Sequence, residues 1–145
     1  MAPVKTLTFE RETEVVWCRG IVAEYAASLG FDKTALSSIS IAVSELVTNA
    51  MKYAAGGRIR LESIEAPAPG IKISVDDDGP GCPDIETALK DGFSEGRQVA
   101  DGEFVPERRG LGSGLGAVQR LMDRVELANR EEGGFSVTVV KYLER

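Results

Sequence analysis

The chain has 145 residues, 43% of them apolar, a formal charge of −6 at pH 7 and no histidine. That is enough apolar material for one domain with its own core, and too little clustered positive charge for nucleic acid or an anionic membrane surface to be the main partner. Without histidine the commonest general base, the usual zinc ligand and phosphohistidine chemistry on this chain are excluded, so any catalysis must run on carboxylates.

The opening stretch "MAPVKTLTFE" lacks the apolar core of a signal peptide, and no apolar run reaches the length of a bilayer span, so a cytoplasmic protein is expected. Cys18 and Cys82 stand far apart with no CxxC pairing, which points to two reduced thiols and not to a redox motif or zinc site.

In chain order, "VKTLTFE" (4–10) alternates apolar and polar residues and predicts an opening strand. From Thr13 to Leu29 the residues Val15, Val16, Cys18, Ile21, Val22, Tyr25 and Ala26 recur at helical intervals up to Gly30, a common helix stop. Asp32 is the N-cap expected for a second, longer helix that runs to the stop signal Gly56–Gly57. The runs 58–65 and 71–78, joined by "APAPG", read as a hairpin. "PDIETALKDGF" (83–93) predicts a short helix, and the aperiodic, charged stretch 94–110 a mobile loop. A helix follows from about Leu115 to Asp123, and residues 124–144 read as two strands around Gly133–Gly134. No internal repeat, low-complexity tract or linker divides the chain, and one domain over 1–145 is expected.

Three motifs carry chemistry. Glu45, Asn49 and Lys52 stand at i, i+4 and i+7 of the second helix and share one face, opposite an apolar stripe that includes Leu46, Val47 and Ala50. Alone, this trio reads more readily as a solvated helix face with incidental polar residues. In "VDDDGPGCPD" an apolar strand runs into Asp76, Asp77 and Asp78 and then Gly79-Pro80-Gly81. A carboxylate at a strand end can accept from the exocyclic amine of a base, with glycines leaving room for a ligand, and an acidic turn is the plainer alternative. Calcium is disfavoured because the D-x-D-x-D-G spacing is missing. In "RRGLGSGLGAVQRLMD" (108–123), Gly110, Gly112, Gly114 and Gly116 alternate with Leu111, Ser113 and Leu115 ahead of a helix. Free amides and the positive dipole end of a helix suit an anion such as phosphate. No Lys-Ser or Lys-Thr follows, as a P-loop requires, and the dinucleotide turn matched by Gly112, Gly114 and Ala117 lacks its preceding apolar strand. A bare hinge and a lid over phosphates remain.

Taken in order, Glu45-x-x-x-Asn49-x-x-Lys52, Asp77-x-Gly79-x-Gly81 and Gly110-x-Gly112-x-Gly114-x-Gly116 resemble the N, G1 and G2 boxes of the GHKL ATPase and kinase superfamily, and the match spans most of the chain. Within it, "DDDGPGCPDIETALKDGFSEG" followed by "GLGSGLGAVQRLMD" is similar to the RsbT-type serine/threonine switch kinases, which phosphorylate STAS-domain proteins. The resemblance implies the Bergerat ATP-binding fold, an α/β two-layer sandwich whose mixed, mainly antiparallel sheet carries helices on one face. It implies ATP and Mg²⁺ as cofactors, with Asn49 as the metal ligand, Glu45 as general base toward a serine or threonine hydroxyl, and Lys52 leaning toward the phosphates. By the same resemblance Asp77 accepts from the adenine amine, Gly79 and Gly81 leave room for the nucleotide, and Gly110, Leu111, Gly112, Ser113, Gly114, Leu115 and Gly116 form the lid end over the triphosphate. The implied partner is a STAS-domain protein, with a sigma factor or a phosphatase as further candidates and a homodimer as a candidate assembly. A sigma-sequestering anti-sigma factor of the RsbW type is the rival reading, and a degenerate nucleotide-binding module the third.

Two departures stand out. "RQVADGEFVPER" makes the lid longer than the compact RsbT pattern, and it ends on Arg108 and Arg109, which suit either a phosphate or a solvated face. The chain also has no histidine and no room for a dimerisation helix pair, so a complete sensor histidine kinase is not expected.

Overall fold

A computed structural model describes residues 2–11, 13–54, 56–79, 111–131 and 133–143, with the backbone alone at 53 and 111–114. Their order is β1 (Lys5–Phe9), α1 (Glu14–Ser28), α2 (Lys33–Tyr53), β2 (Gly57–Ile64), β3 (Gly70–Asp77), α3 (Leu111–Leu121), β4 (Arg124–Asn129) and β5 (Phe135–Tyr142). The helix expected over 83–93 and the loop expected over 94–110 lie outside the described residues.

The two N-terminal helices begin and end on local chemistry. The Glu14 carboxylate accepts from the Glu10 and Arg11 amides at 2.8 and 2.9 Å, tying down the chain that enters α1. These two bonds, Glu10 first, hold its carboxyl below the ordinary carboxylate value. At the other end Gly30 sits at φ 105°, and its amide and that of Phe31 return to the carbonyls of Ala27 and Ala26. Asp32 caps α2 as expected, its carboxylate accepting from the Ala35 amide at 2.9 Å. Val16 and Trp17, by contrast, point outward from α1, 65% and 50% exposed, so Val16 does not belong to the buried stripe that the periodicity assigned to it.

The sheet has five strands in the order β1-β2-β3-β5-β4, and every pairing among the described residues is antiparallel. β3 and β4 therefore run the same way, but β5 lies between them. The expected hairpin is present: β2 and β3 pair from Gly57↔Asp77 to Ile64↔Gly70. Period-two alternation buries one face of the sheet, with Leu7, Phe9, Ile59, Leu61, Ile71, Ile73, Val75, Phe135, Val137 and Val139 all in the core. The intervening positions are more polar, and Ser74 and Thr138 meet there across β3 and β5 at 3.3 Å. α2 packs on β2 and β3 and is flanked by α1 and α3, which gives the two-layer sandwich. No described helix is long and apolar enough to cross a membrane.

α3 departs from the sequence reading. It begins at Leu111, four residues earlier than expected, so Gly112, Gly114 and Gly116 lie within its first turns. Glycine disfavours helix by roughly 1 kcal/mol per residue, but Leu115, Val118 and Met122 recur at i, i+3 and i+7 and are all buried, which anchors the helix against α2. It also ends earlier, at Leu121. The Leu121 carbonyl accepts from Lys141 Nζ at 2.9 Å, while Asp123 leaves the helix to accept from the Tyr142 amide at 2.7 Å.

Candidate functional site

The site grows from the middle of α2. Ile39, Ala42, Val43, Leu46, Val47 and Ala50 are buried at helical spacing and fix the rotation of the helix. That rotation leaves Glu45 and Lys52 exposed and Asn49 half-buried between them. The Asn49 amide oxygen, Oδ1, is shielded from solvent and has no hydrogen-bond partner among the described residues. A buried carbonyl oxygen left unpaired costs on the order of 1–3 kcal/mol, so this one calls for a partner that the described residues do not supply. An amide oxygen is a hard donor of the type that Mg²⁺ takes. The exposed carboxylate one turn away is of the type that serves as a general base.

The second part is the end of β3. Asp77 continues the inward parity of Ile71, Ile73 and Val75, and at 3% exposure it is the one buried charged residue among those described. Its Oδ1 accepts from the Gly79 amide at 3.0 Å, which folds the chain into a tight turn as it leaves the strand. A carboxylate has acceptor capacity for several donors, so this bond leaves it competent to receive another.

A second hold on this strand end comes from the turn between β4 and β5. The Arg130 guanidinium donates through Nη1 to the Asp77 carbonyl at 3.1 Å and to the Asp78 carboxylate at 2.9 Å. Sequence reasoning missed Arg130, because it lies 53 residues from Asp77 and no local spacing links the two. Gly133–Gly134 was legible only as a turn.

The third part is the start of α3. Leu111, Gly112 and Ser113 begin it, where backbone amides lack intrahelical partners and the helix dipole is positive, and Gly114 follows within the first turn. Leu115 and Gly116 are buried, so these two serve packing at that point. α2 contacts both β3 and α3, and the elements that carry all three motifs are thereby joined through it. Gly81, Gly110, Arg108, Arg109 and Cys82 lie outside the described residues, as does the segment expected to form most of the lid. Cys18 is buried, and desolvation, followed by the nearby Glu14 charge, raises its thiol pKa. Among the described residues no group of three or more His, Cys, Asp or Glu side chains could hold a metal ion.

Comparison with known proteins gives the family of the chain. The family model for the histidine kinase-like ATPase domain matches residues 9–141. The chain is 35% identical over 133 residues to the serine/threonine-protein kinase RsbT of Bacillus subtilis (strain 168), covering 91% of each chain. It is 31% identical over 129 residues to an anti-sigma F factor of Thermoanaerobacter sp. (strain X514), covering 88% of this chain and 84% of that one. Among solved structures, full-length ShkA in complex with AMPPNP matches with a TM-score of 0.50 at 17% identity, over 97% of this chain and 31% of that one, a likeness of fold alone.

Proposed function

The chain belongs to the histidine kinase-like ATPase domain family, and from that premise we propose that it is a cytoplasmic serine/threonine protein kinase of the RsbT type, which moves the γ-phosphoryl group of ATP to a hydroxyl of a STAS-domain partner. The observation that carries this reading is the pair on α2: a shielded, unpartnered Asn49 Oδ1 one turn from an exposed Glu45 carboxylate.

The fit of a Mg²⁺ nucleotide rests on that oxygen. Mg²⁺ keeps several waters and takes only one or two protein oxygens beside the phosphates of a bound nucleotide, and Asn49 would be the protein's donor. Bound Mg·ATP supplies the phosphoryl group and neutralises part of its charge. The chain does the rest by positioning. Asp77 accepts from the adenine amine, and Gly79 turns the backbone aside to leave room for the base, with Gly81 beyond it. The unpaired amides at the start of α3, at Leu111, Gly112 and Ser113, donate to phosphate oxygens, and Lys52 adds positive charge nearby. Glu45 takes the proton of the acceptor hydroxyl at its carboxylate as that oxygen bonds to phosphorus and ADP leaves. The whole chain serves as a single domain in this scheme.

A second reading is supported by the relatives named anti-sigma F factor: the chain captures a sigma factor, with nucleotide governing the exchange of partners. Incubation of the chain with γ-labelled ATP, Mg²⁺ and candidate STAS and sigma proteins separates the two. Label on a STAS serine or threonine is the result expected. Stable sigma capture with no label on any partner would replace the first reading by the second.

A further inference from the structure

The turn between β4 and β5 is built to press on the last residue of β3. Gly133 and Gly134 lie at φ 102° and 104°, and the turn closes through the Arg130 amide on the Gly134 carbonyl at 3.0 Å and the Gly133 amide on the Arg130 carbonyl at 3.1 Å. A Cβ at Gly134 would run into the Asp77 carbonyl, so only glycine lets the turn come this near. From it Arg130 reaches back with a side chain only 18% exposed to bridge the Asp77 carbonyl and the Asp78 carboxylate.

The ion pair is a weak reason for such an arrangement. Asp78 is 78% exposed, and pairs open to water contribute between nothing and about 1 kcal/mol. The bond to the main-chain carbonyl does something different, because it fixes the peptide plane that follows Asp77. Together with the Gly79 amide on Asp77 Oδ1 it determines where the buried carboxylate points. A hydrogen bond to a base depends steeply on direction. We propose that Arg130 is a positioning residue for base selection: by clamping the end of β3 it aims the Asp77 carboxylate at an exocyclic amine, and so sets the preference for adenine over a purine that lacks that amine. This inference rests on the reading of Asp77 as the adenine acceptor.

The test is calorimetric titration of the full chain with Mg·ATP and with Mg·ITP, whose base carries an oxo group in place of the amine. Arg130→Met keeps the apolar stem and removes the guanidinium. It should lower the ATP-to-ITP affinity ratio about fivefold, the scale of one ordinary hydrogen bond, while ITP affinity stays put. Arg130→Lys, which can still donate to the carbonyl, should recover part of the ratio. A uniform loss for both nucleotides, or an unchanged ratio, would overturn the proposal, since a merely structural arginine moves both alike. Asp77→Asn separates this failure from that of the parent reading. If Asp77→Asn keeps the wild-type ratio, the acceptor assignment itself falls, and the proposal falls with it. If Asp77→Asn abolishes the ratio while Arg130→Met preserves it, Arg130 alone is wrongly assigned. Should Arg130→Met not fold, Asp78→Asn, which weakens the same clamp from its exposed side, is expected to lower the ratio about twofold, and no change there counts against the clamp.

Discussion

Glu45 and Asn49 stand one turn apart on α2, the first with its carboxylate in solvent and the second with its amide oxygen buried and unpaired. The buried stripe on the far side of the helix makes this contrast, since it sets how far each position is turned toward the core. A base has to meet an incoming hydroxyl, whereas a metal ligand has to be fixed before the metal arrives.

The two residues are therefore expected to fail differently. Glu45→Gln keeps size and polarity but removes the proposed base, and should lower phosphoryl transfer by about 10²–10⁴-fold with ATP affinity retained. Single-turnover transfer to the partner, measured beside calorimetry, checks this. Unchanged transfer would remove Glu45 from that role.

The packing of the β4–β5 turn against β3 is open to a direct stability comparison. Gly133 and Gly134 share a left-handed φ, yet a Cβ at Gly133 meets nothing within 4 Å while one at Gly134 strikes the Asp77 carbonyl. Gly133→Ala should cost about 1–2 kcal/mol for conformation alone. Gly134→Ala should cost about 2–4 kcal/mol, because overpacking adds to the conformational term. Urea unfolding of both variants is the measurement, and equal losses would mean that the close approach to Asp77 carries no strain.

The Glu14 carboxylate gives a pH-dependent expectation. Two backbone bonds lower its pKa in the folded chain, so the unfolded chain binds the proton more readily. Its contribution is present above the ordinary value of 4.5 and is lost as pH falls through the lower, folded value. Glu14→Gln should therefore show a reduced Tm at pH 7 and converge on wild type in acid. A Tm deficit that stays constant down to the acid limb would assign its role to something other than charge.

Much of this architecture was legible in local pattern. The strand alternation, the Asp32 cap and the Gly30 stop were read from short windows, and each is present. The α2 trio was legible for the same reason, since helical periodicity converts spacing into a shared face. Two kinds of feature were not legible. The start of α3 at Leu111 is one, because glycine disfavours helix and only the burial of Leu115, Val118 and Met122 against α2 overrides that cost. Arg130 is invisible at the level of spacing, because its partners reach it only after β5 pairs with β3 and brings the β4–β5 turn to the end of that strand.

Asn49 Oδ1 is the proposed ligand of the protein for a nucleotide-bound Mg²⁺. Titration of the wild-type chain and of Asn49→Ala with ATP, each with and without Mg²⁺, addresses that role in one experiment. The wild type should bind ATP more tightly with the metal than without it, and Asn49→Ala should lose that difference while its metal-free affinity changes little. Equal losses with and without Mg²⁺, or no binding of ATP by the wild-type chain at millimolar concentration, would contradict it.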